Sequence, residues 1–276
     1  MLAALLISLR ESLEAALIVG IVISYLKKIG YLDRQRYAWL GVLAALAGSV
    51  GLAFGLQRLG VELEGQAEQI FEGATMFLAV IVLTWMIFWM RYQAWSLKYG
   101  LEREVRQATL SGQNWGLFSL TFVAVFREGV ETALFLSAAV FANGGITILI
   151  GALIGLVIAV VLGLILYAST ARLNIRRFFD VTSIFLLLFA AGLLAHGVHE
   201  FQEAGLLPLM ATKFWDTSHI LSEKSFIGSL LKSLVGYNAD PSLFEVIAYV
   251  SYYALVLTAI CWWAKRLSTR PISALP

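Results

Sequence analysis

RESLEAAL at residues 10–17 sits inside an otherwise apolar run from Leu2 to Leu26, and REGVETAL at 127–134 sits inside a second such run from Trp115 to Ala142. Both octets follow the pattern R-E-x-x-E-x-A-L. A charge at the centre of a bilayer costs about 2.5–3.5 kcal/mol on insertion scales, so three in one span require mutual neutralisation or a task. The two octets are one motif written twice, and the rest of the chain reads outward from them.

Composition fixes the solvent. Of 276 residues, 60% are hydrophobic and 14% charged, well above the apolar share of a soluble domain, so the chain reads as an integral membrane protein. A net charge of +2, spread over short loops, gives no footprint for a nucleic-acid partner. The single cysteine, Cys261, excludes an intrachain disulfide and a thiolate metal cage.

About 20 apolar residues cross a hydrocarbon core. Seven segments meet that length: Leu2–Leu26, Trp39–Leu56, Ile70–Met90, Trp115–Ala142, Ile146–Tyr167, Val181–Val198 and Phe244–Trp263. The first lacks a small-residue cleavage site and is read as a retained span. Basic residues alternate between loops: Lys27, Lys28, Arg34 and Arg36; Arg91, Lys98, Arg103 and Arg106; Arg172, Arg176 and Arg177; Lys265, Arg266 and Arg270. The positive-inside rule then places the amino terminus outside and the carboxy terminus in the cytoplasm.

The likeness extends beyond the octets. GVLAALAGSVGLAFGL at 41–56 resembles GALIGLVIAVVLGLIL at 151–166, and QIFEGATMFL at 69–78 resembles RFFDVTSIFL at 177–186, pairing Glu72 with Asp180. Three spans repeated once must enter the membrane from opposite sides, which is the inverted repeat of many transporters, with substrate sites near the midplane. The expected fold is therefore all-α: a single permease domain over 1–276, with repeat one at about 1–92 and repeat two at about 114–205. An external segment at about 197–240 and a seventh helix at about 243–264 complete it.

On a helix, the glutamates of R-E-x-x-E share a face, and the arginine reaches the second glutamate at i+4. Converging motifs bring together Glu11, Glu14, Glu128 and Glu131, with Arg10 and Arg127 as supporting charge. Two arginines leave two of the four carboxylates uncompensated, and an incoming multivalent cation satisfies them. Four carboxylates without cysteine or histidine form a hard oxygen set suited to Mg, Ca, Mn or oxidised iron. In the structural alternative, Arg10–Glu14 and Arg127–Glu131 only lock the repeat interface, leaving Glu11 and Glu128 unpaired.

Glu72 and Asp180 stand at helix amino termini, where they serve either as caps or as outer and inner relay sites. His196, His199, Glu200 and Glu203 form either an external metal-collecting site or an ordinary interfacial cluster; HEFQE is not the H-E-x-x-H of zinc peptidases. A proton-coupled carrier of another divalent metal or an organic cation fits the same carboxylates. An intramembrane di-iron oxidase needs Glu-x-x-His pairs, absent from the spans' middles.

Both octets, FEG at 71–73, LTWMIFWMR at 83–91, RLN at 172–174, FQEAGL at 201–206, and the GY and PS elements resemble the EfeU-type bacterial relatives of the fungal high-affinity iron permeases, over essentially the whole chain. The resemblance implies iron uptake across the cytoplasmic membrane, with Glu11, Glu14, Glu128 and Glu131 at the family's iron positions. It also implies iron as transported substrate with no intrinsic cofactor, ferric iron at the site, and an extracytoplasmic ferroxidase or iron-delivery protein as partner. Ser12 replaces the usual glycine of the motif, and Gln202 stands where some relatives carry histidine.

Overall fold

The structure, a computed structural model, describes residues 1–93, 97–110, 114–168, 175–208, 215–222 and 225–268. Arg172, the RLN element and Arg270 lie outside the described residues. Within them the chain is all-helical: α1 (Leu2–Lys28), α2 (Gln35–Glu62), α3 (Gln66–Gln93), α4 (Leu97–Leu110), α5 (Asn114–Asn143), α6 (Gly145–Ala168), α7 (Ile175–Glu203), α8 (Phe226–Val235) and α9 (Leu243–Ser268).

In a bilayer core, helices satisfy every backbone polar group internally, and this chain has the length and apolarity to use them. Five helices can cross on both counts, within Leu32–Glu62, Gln66–Met90, Gly145–Ile165, Arg177–Glu203 and Leu243–Trp262. The protein is thus a multi-pass membrane protein. Helices α1 and α5 are as long, 27 and 30 residues, but each carries its three-charge motif mid-length. Gly144, at φ 84°, makes the one-residue turn between α5 and α6, a left-handed conformation that favours glycine.

Helix α2 lies along α5, α1 along α6 and α3 along α7, while α1 also packs on α5 and α9 on α7. Glycines permit the closest of these approaches. A Cβ on Gly41 would overlap Thr121 Oγ1 and the Phe118 carbonyl of α5, and one on Gly155 would overlap the Leu5 carbonyl of α1. Gly129, inside the second motif, faces the Ser49 side chain of α2 with no room for a Cβ. These contacts account for the small residues in α2 and α6, whose opposite faces expose Leu43, Val50, Phe54, Leu153, Val157 and Leu164.

Two elements differ from the sequence reading. The loop expected after Met90 contains α4, which buries Leu101 and Val105 against α1 and α5, while Arg34 Nη1 donates to the Thr109 carbonyl at 2.9 Å. Counting its charges obscured its i, i+4 apolar stripe. The segment expected at about 197–240 contains α8, capped by the Ser225 side chain and closed by Gly236 in the left-handed region. Gly236 meets Gly192 of α7 backbone to backbone, so the segment is seated in the helical body.

Gly41→Ala should therefore destabilise the protein by about 1–3 kcal/mol, the cost of overpacking. Gly55→Ala, with open space around its Cβ position, should be neutral. Thermal melting of the two purified variants in detergent checks this.

Candidate metal-transport site

Helix α1 buries a stripe at helical spacing, Ala4, Ile7, Glu11, Glu14, Ile18 and Val22, so the two glutamates occupy core positions. Helix α5 does the same with Leu117, Thr121, Val125, Glu128 and Phe135. Because α1 packs on α5, the stripes meet at their carboxylates. One oxygen from each of Glu11, Glu128 and Glu131 lies within 4.8 Å of the other two. Glu14 is buried beside this group, close enough for its charge to interact with Glu128 and Glu131.

The arginines are arranged differently. Arg10 is 0% exposed: Nε lies 3.1 Å from Glu14 Oε1, outside hydrogen-bond alignment, and Nη1 lies 3.8 Å from Glu11 Oε1. Its Nη2 donates to Met90 Sδ, and its guanidinium carbon stands 5.9 Å from the Phe179 ring centre. Arg127 is 51% exposed and donates to Glu128 Oε1 through both Nε, at 3.1 Å, and Nη2, with Nε also 3.6 Å from Glu131 Oε1. Glu128 is therefore paired through one oxygen, contrary to the expectation that an interface lock would leave it bare. Both oxygens of Glu11, and Oε2 of Glu128 and of Glu131, are buried without a hydrogen-bond partner.

That arrangement is costly if left empty. A buried carboxylate oxygen without a donor loses hydration and receives nothing in return. The three carboxylates could hold a multivalent cation, whose direct ligation by hard oxygens would replace the missing hydrogen bonds.

The remaining sequence candidates lie elsewhere. Glu72 and Asp180 lie past the first turns of α3 and α7, which begin at Gln66 and Ile175, so the cap reading fails: dipole effects fade beyond the first turn. Glu72 interacts electrostatically with Glu200 and Glu68. Asp180 adjoins Phe179, the residue over Arg10. Neither belongs to the three-carboxylate group.

At the end of α7, the His196 and His199 rings are 6.3 Å apart. His199 Nε2 lies 3.2 Å from Glu203 Oε1, and Nδ1 lies 3.1 Å from Glu245 Oε1. Both ring nitrogens thus face carboxylates. Glu245 is 3% exposed and accepts from Asn238 Nδ2 at 2.8 Å and the Ser242 amide at 3.2 Å. Its signal was present as S-x-x-E before an apolar run, a capping box: the Glu245 amide returns a bond to Ser242 Oγ at 3.3 Å. A cavity of about 400 Å³ between α7, α8 and α9 reaches Glu245 but none of the motif residues.

The fold and site define a polytopic helical membrane protein built around a buried carboxylate group shared by two helices. The chain belongs to the Iron permease FTR1 family, whose pattern it matches over residues 1–269. It is 41% identical to the ferrous iron permease EfeU of Escherichia coli O6:K15:H31 (strain 536), covering 92% of this chain and 93% of that protein. Identity and coverage are the same for the Shigella sonnei protein of that name. For the Yersinia pestis protein of that name, identity is 38%, with 91% of each chain covered. No solved structure matches the chain. The protein is a multi-pass integral protein of the inner membrane, and its relatives are named as permeases.

Glu245→Ala should lower stability by about 1.5–3 kcal/mol, the worth of a hydrogen bond to a buried charge. Glu64→Ala, an exposed control, should not. Thermal melting monitored by size-exclusion chromatography distinguishes them.

Proposed function

We propose that this chain carries iron across the inner membrane through a site formed by Glu11, Glu14, Glu128 and Glu131, one R-E-x-x-E motif coming from each half of an inverted repeat. The observation that supports this most is the approach of Glu11, Glu128 and Glu131 within 4.8 Å, with buried oxygens lacking donors. Family membership supplies the identity of the cation. The donor set supplies the mechanism: hard oxygens replace the ion's hydration shell, and Arg10 and Arg127 keep the surplus negative charge small enough for the ion to leave.

The architecture follows from the same reading. Seven spans, α1, α2, α3, α5, α6, α7 and α9, form one domain, with α1 to α3 and α5 to α7 as repeats and the amino terminus outside. Under exchange of the repeats, the α2–α5 contact becomes the α6–α1 contact, and these two are the most extensive in the molecule. The α1–α5 and α3–α7 contacts map onto themselves, as contacts across a pseudo-two-fold must.

The relatives are named for ferrous iron, whereas an all-carboxylate site is hard enough for ferric iron. Iron arriving as Fe(II) and oxidised by an extracytoplasmic ferroxidase satisfies both. On this reading Glu72 is the outer relay and Asp180 the inner relay, and His196, His199, Glu200 and Glu203 form the external iron-collecting site.

In proteoliposomes, Glu11→Gln, Glu128→Gln and Glu131→Gln should each reduce radiolabelled iron uptake at least about tenfold, as loss of an interaction worth about 1.4 kcal/mol or more requires, with protein still in the membrane. Normal uptake by both Glu11→Gln and Glu128→Gln defeats the reading. Uptake of an organic cation in place of iron supports a proton-coupled carrier.

For orientation, single cysteines placed at 31–36 in a Cys261→Ser background should react with impermeant reagents only from the cytoplasmic side, and those at 62–68 only from outside. Outside labelling of 31–36 overturns the inverted arrangement.

A further inference from the structure

The two motifs match in sequence, but their arginines do not match in environment. Arg10 is fully enclosed, held by Met90 of α3 below the Phe179 ring of α7, with Glu14 as its carboxylate neighbour. Arg127 is half exposed, and it stands between the open side of α5 and the carboxylates: it bonds one oxygen of Glu128 and approaches Glu131. Glu11 and Glu128 are 1% and 2% exposed, whereas the Glu131 side chain, next to Arg127, is 13% exposed. The carboxylate group therefore comes nearest to the surface at Arg127.

The open side has a direction. Trp115, Ser119, Val123 and Arg127 recur every fourth residue, and all are exposed. They form a stripe running from the start of α5 up to the motif. Arg127 ends this stripe, and its guanidinium meets the carboxylates just past it, Glu128 and Glu131. A guanidinium half exposed in the middle of a span is poorly tolerated against lipid, and Ser119 adds a polar group on the same face.

We propose that Arg127 is the gate residue of the carboxylate site, closing it from a water-filled path along the N-terminal half of α5 and swinging along that path to let the cation pass, while Arg10 is a fixed counter-charge. The inference rests on the function proposed above and gives the matched arginines different jobs. With the amino terminus outside, α5 begins in the cytoplasm, so Arg127 guards the inner exit. In the closed position, its two hydrogen bonds to Glu128 leave the second oxygen of that residue directed to the site. Moving the guanidinium off Glu128 and Glu131 opens the path and withdraws two contacts from carboxylates that hold the cation.

Thiol reactivity tests the gate in a Cys261→Ser background, using a charged, membrane-impermeant methanethiosulfonate on membrane vesicles of both orientations. Val123→Cys and Arg127→Cys should react when the cytoplasmic face is outward, and Arg10→Cys should not. Glu131→Cys should react slowly, become severalfold faster when Arg127→Ala is added, and stay slow when Arg10→Ala is added instead. A general loosening of the fold would speed both combinations alike. Unreactive Val123→Cys and Arg127→Cys, as expected of a lipid-facing stripe, overturn the proposal, as does labelling only from the external face or a Glu131→Cys rate indifferent to Arg127. If Glu11→Gln and Glu128→Gln still abolish iron uptake in that case, the carboxylate site stands and only the gate falls.

Discussion

The structure depends on one electrostatic imbalance: four carboxylates from two helices meet with two guanidinium groups, and only that of Arg127 hydrogen-bonds to them. Glu11 and Glu14 on α1 and Glu128 and Glu131 on α5 occupy positions that helical geometry assigns to apolar side chains, and they displace the leucine or alanine that would pack there at no electrostatic cost. Such a group persists in a membrane protein only if the surrounding helices hold it in place, and the glycine contacts supply that constraint. Gly129 against Ser49 and Gly155 against the Leu5 carbonyl bring α2 and α6 onto the outer sides of α5 and α1. They pin the motif helices so that the carboxylates cannot relax apart.

Around this centre, a second set of polar contacts ties down the end of the bundle formed by the close of α7 and the start of α9. Glu245 links His199 of α7, Asn238 and the start of α9, while Ser242 Oγ donates to Gln202 Oε1 at 2.7 Å. Thr217 and Tyr237 are hydrogen-bonded through their hydroxyls at 2.7 Å, extending the network to the segment before α8. The network is chemically separate from the carboxylate centre. It fastens a polar segment to the helical body, where a loose one would leave the buried Gly192–Gly236 contact unsupported.

The sequence made the centre legible because the motif appears twice. One R-E-x-x-E in an apolar helix is ambiguous, but a second in a matched frame placed four carboxylates at a common site, and α1 and α5 do pack together there. Local spacing also anticipated the i, i+4 pairing of each arginine with the second glutamate. It could not show that Arg127 would bond chiefly to the adjacent Glu128 while Arg10 turned to Met90, because the surroundings of Arg10 are set by α3 and α7, whose approach no local pattern encodes. Helix α4 was hidden by attention to its charges. Glu245 was hidden because its capping box was not recognised and its partner His199 lies 46 positions away. Glu72 and Asp180 looked like caps only while the helix starts were placed too late.

The central claim is that the carboxylates of the two motifs together bind the metal. The most direct measurement is iron binding to the purified protein, with X-ray absorption at the iron edge, for the wild type, Glu11→Gln and Glu128→Gln. The account predicts iron in a shell of oxygen ligands without sulfur in the wild type, and loss of that iron in either variant although the substituted residues lie on different helices. An iron site unchanged in both variants would contradict it.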